Sequence, residues 1–105
     1  MSASRSEQNL FIVDLHYVAA FDQIDPLIKD HVAFLEANYA SGHFIASGPK
    51  VPRTGGVIIA TADSLEAVKT LLEADPFHKA KVARYTITEF YPKMTATKFD
   101  FDKRP

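Results

Sequence analysis

Thirteen carboxylates, four histidines and no cysteine set the chemistry open to this chain. Without cysteine there is no thiolate nucleophile, no thiolate metal site and no disulfide framework. The histidines stand at 16, 31, 43 and 78. No two have the i, i+4 spacing that turns paired imidazoles toward one metal, so no metal site is expected. Acid–base chemistry remains, and His31 is the best-placed group for it. It falls on an apolar stripe, one turn after Leu27 and one turn before Leu35. A ring there is partly out of water and suited to work as a neutral base. The same position also suits a core histidine bonded to nearby backbone, and the pattern does not separate the two.

Asp75-Pro76 has the form of a helix N-cap followed by proline at the first helical position. Capping alone is worth on the order of 1 kcal/mol, so Asp75 has a structural role whatever else it does. Ser47-Gly48-Pro49 closes an apolar run. Its hydroxyl could donate to a ligand and its glycine could admit a close approach, although an ordinary turn fits equally well. No feature puts a base beside Ser47, which argues against a nucleophile. Arg53 could attract an anionic substrate, with a solvated surface arginine as the simpler reading. Asp14 and His16 fit either a wet cavity or an exposed strand end. His43 and His78 are expected at the surface. No glycine-rich nucleotide fingerprint occurs, so NAD and ATP are not indicated and no cofactor is expected.

The elements that must carry these groups follow from periodicity. Residues 10–18 (LFIVDLHYV) read as a strand with Phe11, Val13, Leu15 and Tyr17 on one face and Leu10, Ile12, Asp14 and His16 on the other. Ile24, Leu27, Ile28, His31, Leu35 and Tyr39 recur at helical spacing, with Asp25 or Asp22 as the cap and Gly42 as the stop. Residues 43–48 and 57–62 read as strands joined by a loop rich in Pro and Gly. Asp63 and Glu66 have capping-box spacing ahead of a helix striped by Leu65, Val68, Leu71 and Leu72. A short helical turn from Asp75-Pro76 precedes a fourth strand over 83–91, ended by Pro92. Residues 1–8 read as a mobile polar leader, and 93–105 as a polar tail with Phe99 and Phe101.

The predicted order is β-α-β-β-α-β, an α+β fold with a four-stranded antiparallel sheet and both helices on one face. Leu10, Ile12, Ile58 and Ala60 sit on strands with apolar residues on both faces. A bare apolar sheet face marks a partner surface, and two-fold pairing of sheets would cover it. A homodimer is expected, with a higher oligomer left open. At 105 residues the chain suits a single domain. A net charge of −1 offers no basic excess for nucleic acid. No apolar stretch reaches the roughly 20 residues of a membrane span. A cytoplasmic location is the default.

Residues 10–92 resemble the YciI-like (YCII-related) family of the dimeric α+β barrel superfamily. The likeness rests on His31 with Leu35, the run Ser41-Gly42-His43-Phe44-Ile45-Ala46-Ser47-Gly48-Pro49, the Gly55-Gly56 turn, and Asp75-Pro76-Phe77. It implies a ferredoxin-like fold, a dimer, and a catalytic His/Asp pair that maps onto His31 and Asp75. One activity among such relatives is elimination of HCl from a chlorinated hydroxyhydroquinone. The tail is longer than in compact members, and the substrate is left open. The expected function is a small cofactor-independent enzyme that eliminates or isomerises a small cyclic or aromatic substrate. Its pocket is expected between the first helix, residues 47–49 and Phe77. The alternatives are a non-catalytic small-molecule-binding or assembly module, or an oxygen-using or haem-handling barrel.

Overall fold

Alternation along the first strand orients the whole sheet. In β1 (Asn9–Tyr17), Phe11, Val13 and Leu15 are buried, while His16 on the opposite side is exposed. The computed structural model describes residues 8–96. The leader at 1–7 and the tail phenylalanines Phe99 and Phe101 lie outside the described residues. Gln8, assigned above to the leader, is instead tied to the sheet. Its amide donates to Asp63 Oδ1 (2.6 Å) and accepts the Thr61 hydroxyl (3.1 Å).

β1 pairs antiparallel with β3 (Gly55–Ala62) on one side and β4 (Ala83–Phe90) on the other. β2 (Phe44–Pro49) extends the sheet beyond β3, giving the order β2-β3-β1-β4. The register sets Phe11 opposite Ala60 and Val13 opposite Ile58. These residues share a core with Ile24, Phe34, Val68, Leu72 and Phe77 from the helical segments. All helices therefore lie on one face, as a ferredoxin-like βαββαβ fold requires. Each fully buried large side chain here contributes on the order of 1.5–3 kcal/mol.

The other face carries Leu10, Ile12 and Ile59, since Ile12 is the register partner of Ile59. Ile58 and Ala60 point to the helices instead. A register irregularity between Phe44 and Ala46 lets Ile45 join the outer set. Pro92 and Met94, past the end of β4, border the same groove.

The first helical segment starts earlier than Asp25-Pro26 suggests. It comprises α1 (Phe21–Ile24), a 3₁₀ turn (Asp25–Leu27) and α2 (Ile28–Ala40). Ala20 is the N-cap and no side chain caps it, so neither Asp22 nor Asp25 has that role. Asp25 is drawn off by Arg53, whose Nη2 donates to its Oδ1 at 2.7 Å. The stripe also needs revision. Phe34 is buried, whereas Tyr39 is exposed and hydrogen-bonds Ser47 Oγ at 2.6 Å. Gly42 ends α2 at φ 88°, a conformation that favours glycine.

α3 (Leu65–Leu72) is capped by Ser64, which accepts from the Ala67 amide at 3.1 Å. Asp63, the cap expected from spacing, pairs with Gln8 instead. α4 (Pro76–Lys79) begins at Asp75 as its local signature dictates.

Candidate functional site

Asp75 is the centre around which the site is built. It is fully buried, and its side chain meets three donors. Oδ1 accepts the Phe77 amide at 3.0 Å, which is the N-cap of α4, and contacts His31 Nδ1 at 2.8 Å. Oδ2 accepts the Tyr85 hydroxyl at 2.6 Å. An ionised carboxylate is acceptor-only, so it can receive all three bonds at once. α2, α4 and β4 thus converge on one side chain.

Burial pushes the Tyr85 phenol far above its ordinary range, and its hydrogen bond to Asp75 adds to the rise. Tyr85 therefore stays protonated and donates. Nothing in the sequence marks it, because an alternating strand tyrosine reads as core and its bond crosses from β4 to the loop before α4.

The His31 ring is fixed on two sides. Its face stacks on Phe77, with centroids 4.0 Å apart and planes 11° apart. Its Nδ1 faces Asp75, so in the neutral ring Nδ1 carries the hydrogen and Nε2 the lone pair. Among the described residues none hydrogen-bonds Nε2. The side chain is 15% exposed and borders a cavity of about 330 Å³.

That cavity lies between α2, the end of β2 and the β2–β3 loop. Ser47, Gly48, Pro49 and Phe77 line it together with His31, while Asp75 does not reach the cavity and lies behind the ring, bonded to its Nδ1. A Cβ at Gly48 would meet nothing within 4 Å, so no neighbour demands glycine there. Gly55 is different. It has φ +157°, and a Cβ on it would fall 1.8 Å from the Leu15 carbonyl oxygen. Its close crossing over β1 shapes the floor of the cavity.

Arg53 also lines the cavity. Its guanidinium lies 4.5 Å from the Phe21 ring centroid and 5.8 Å from that of Tyr17. The hydrogen bond to Asp25 raises its proton affinity above the ordinary value. Asp14 and His16 belong to a strand end on the other face, where Asp14 pairs with Lys50 at 2.7 Å and His16 is exposed. His78 is exposed, while His43 is half-buried and bonds the Ser41 hydroxyl at 2.8 Å. Among the described residues no three His, Cys, Asp or Glu side chains group to hold a metal ion.

A family profile for the YCII-related domain matches residues 8–91, a span that encloses every element from β1 to β4. The chain belongs to the YCII-related family. No curated protein matches it in sequence. Among solved structures it resembles the 5-chloro-2-hydroxyhydroquinone dehydrochlorinase of Burkholderia phenoliruptrix AC1100, in complex with 2,5-dihydroxybenzoquinone. The TM-score is 0.67 at 24% identity, over 77% of this chain and 92% of that one. At this identity the likeness speaks for the fold. The YCII-related fold here is the four-stranded antiparallel sheet with helices on one face. Among the described residues no helix is long and apolar enough to cross a membrane.

Proposed function

We propose that this YCII-related protein is a small enzyme in which His31 moves a proton on a cyclic or aromatic substrate held in the 330 Å³ cavity. The observation that carries this is the His31 ring bonded through Nδ1 to buried Asp75 and bordering the cavity. Asp75 selects the tautomer whose Nε2 has a lone pair, and stabilises the imidazolium formed once that nitrogen takes a proton. In an elimination, Nε2 removes a C–H proton, the C–H electron pair forms the new double bond, and the leaving anion departs with its bonding pair. In an isomerisation the same proton returns to a different carbon. Ser47, Gly48, Pro49 and Phe77 form the substrate-contacting wall in this reading. The dehydrochlorinase named above is a structural relative whose chemistry has this form.

Two copies are proposed to pack through the outer sheet face, where Leu10, Ile12, Ile45 and Ile59 cluster. Sedimentation at varied concentration tests this, and a monomer at every concentration overturns it.

The test of the chemistry is a panel of hydroxylated and chlorinated ring compounds. Chloride release and exchange of ring protons with deuterated water are followed. His31→Asn and Asp75→Asn should each lower turnover by about 10²–10⁴-fold. Full turnover in both variants would sink the proposal.

A non-catalytic small-molecule-binding module also has an observation in its favour. Asp75 ties α2, α4 and β4 together through its three bonds. In that case His31→Asn lowers the melting temperature and no substrate of the panel turns over.

A further inference from the structure

Among the described residues lining the cavity, Arg53 is the one permanent cation. Its position is set by packing, since the guanidinium lies over Phe21 at 4.5 Å and near Tyr17 at 5.8 Å. Tyr17 meets Phe77 edge-on at 5.9 Å, and Phe77 stacks on His31 at 4.0 Å. A continuous aromatic bridge therefore fixes the cation relative to the imidazole on the walls of one cavity. Asp25 at 2.7 Å and the Tyr17 hydroxyl nearby engage at most two of the five N–H donors, which leaves the guanidinium able to take a further acceptor.

We propose that Arg53 is the anion-recognition group of this cavity and that its ligands are small planar anions: ring carboxylates, phenolates or enolates. The oxygen anion meets the guanidinium, and the ring lies against the wall formed by Ile28, Leu35 and Phe77. This rests on the reading of the cavity as a substrate site and names the substrate class for it. It also gives the proton transfer a destination for charge. When Nε2 takes a proton from an sp3 ring carbon beside a carbonyl, the C–H electron pair becomes the C=C bond of an enolate. The C=O π pair moves onto oxygen, where Arg53 meets it; in an elimination that pair re-forms C=O as the enolate pair expels the leaving anion. Asp25 neutralises the guanidinium in the free protein and competes with the incoming anion.

The competing account is a latch, in which Arg53 and Asp25 only join the β2–β3 loop to the 3₁₀ turn. Benzoate and benzamide separate the two, being nearly the same shape and differing in charge. Both are titrated into the full-length protein and followed by NMR. Benzoate should bind about tenfold tighter than benzamide, as a charge-assisted bond predicts, and added salt should weaken benzoate alone. Arg53→Gln should remove that preference and leave benzamide unchanged. Asp25→Asn should tighten benzoate by up to about fivefold, the scale of a lost surface ion pair. Equal affinities in the native protein, or equal losses of both probes in Arg53→Gln, overturn the proposal. If Arg53→Gln does not fold, Asp25→Asn decides, and unchanged benzoate affinity overturns it. His31→Asn keeps the benzoate preference if Arg53 is its source. Loss of turnover in His31→Asn with no benzoate preference anywhere leaves the proton-transfer reading standing and this one refuted. The reverse pattern, a preference carried by Arg53 with turnover indifferent to His31, refutes the proton-transfer reading alone.

Discussion

Replacing Tyr85 with phenylalanine removes one oxygen and little else. The ring keeps its place against the core, so no large cavity opens. What is lost is the O–H donor to Asp75 Oδ2 at 2.6 Å. Hydrogen bonds to charged groups contribute about 1.5–3 kcal/mol, and the part-buried phenol places this one at the low end, about 1.5 kcal/mol at neutral pH. The alkaline limb carries the sharper test. The folded-state proton affinity of Tyr85 is raised far above the unfolded value of 10.0. Such a group contributes stability that is fully present below the unfolded value. That stability is lost as pH rises toward the folded one, because the unfolded chain releases a proton that the folded chain retains. The slope is one proton, about 1.36 kcal/mol per pH unit. Between pH 9 and 11 the native protein should therefore lose at most about 1.4 kcal/mol through Tyr85. Tyr85→Phe has no such loss. Urea denaturation of both proteins should show a gap of about 1.5 kcal/mol at pH 7 that nearly closes at pH 11. A gap that stays constant with pH would refute the placement of a protonated phenol on a buried carboxylate.

Two further substitutions probe the scaffold. Gly55→Ala would force a Cβ to within 1.8 Å of the Leu15 carbonyl oxygen at φ +157°. It should cost at least about 2–3 kcal/mol and distort the cavity floor, read by thermal melting and by loss of ligand shifts in NMR. Ser64→Ala should cost about 1 kcal/mol as a lost N-cap, whereas Asp63→Ala should stay within about 0.5 kcal/mol, its bond to Gln8 being exposed. Equal costs at the two positions, by urea denaturation, would contradict the assignment of Ser64 as the cap.

Those neighbouring positions illustrate where sequence reading succeeds and stops. Asp75-Pro76 is a local signature and the structure realises it, because the cap needs only the amide two residues on. Asp25-Pro26 has the same two letters and a different outcome. The chain before it is already helical, and its carboxylate is claimed by Arg53, 28 residues away. Asp63 fits capping spacing as well as Ser64 does, and only the backbone extension at Ser64 (φ −158°, ψ 164°) selects between them. The helical stripe omitted Phe34 and included Tyr39, because its phase follows from how α2 rolls on the sheet.

What the sequence determined by itself is the set of elements and their order. Two-residue alternation in β1, β-branched runs in β3, and a helix stop at Gly42 are local preferences of the chain, and they suffice for a βαββαβ fold. The resemblance also pointed to His31 and Asp75. Tertiary structure alone decided that Tyr85 donates to Asp75, that Phe77 stacks on His31, and that Arg53 rests on Phe21 beside the same cavity. The physical reason is distance along the chain. Each of these contacts joins residues from separate elements, and its geometry comes from strand register and helix packing, which no local pattern of residues encodes.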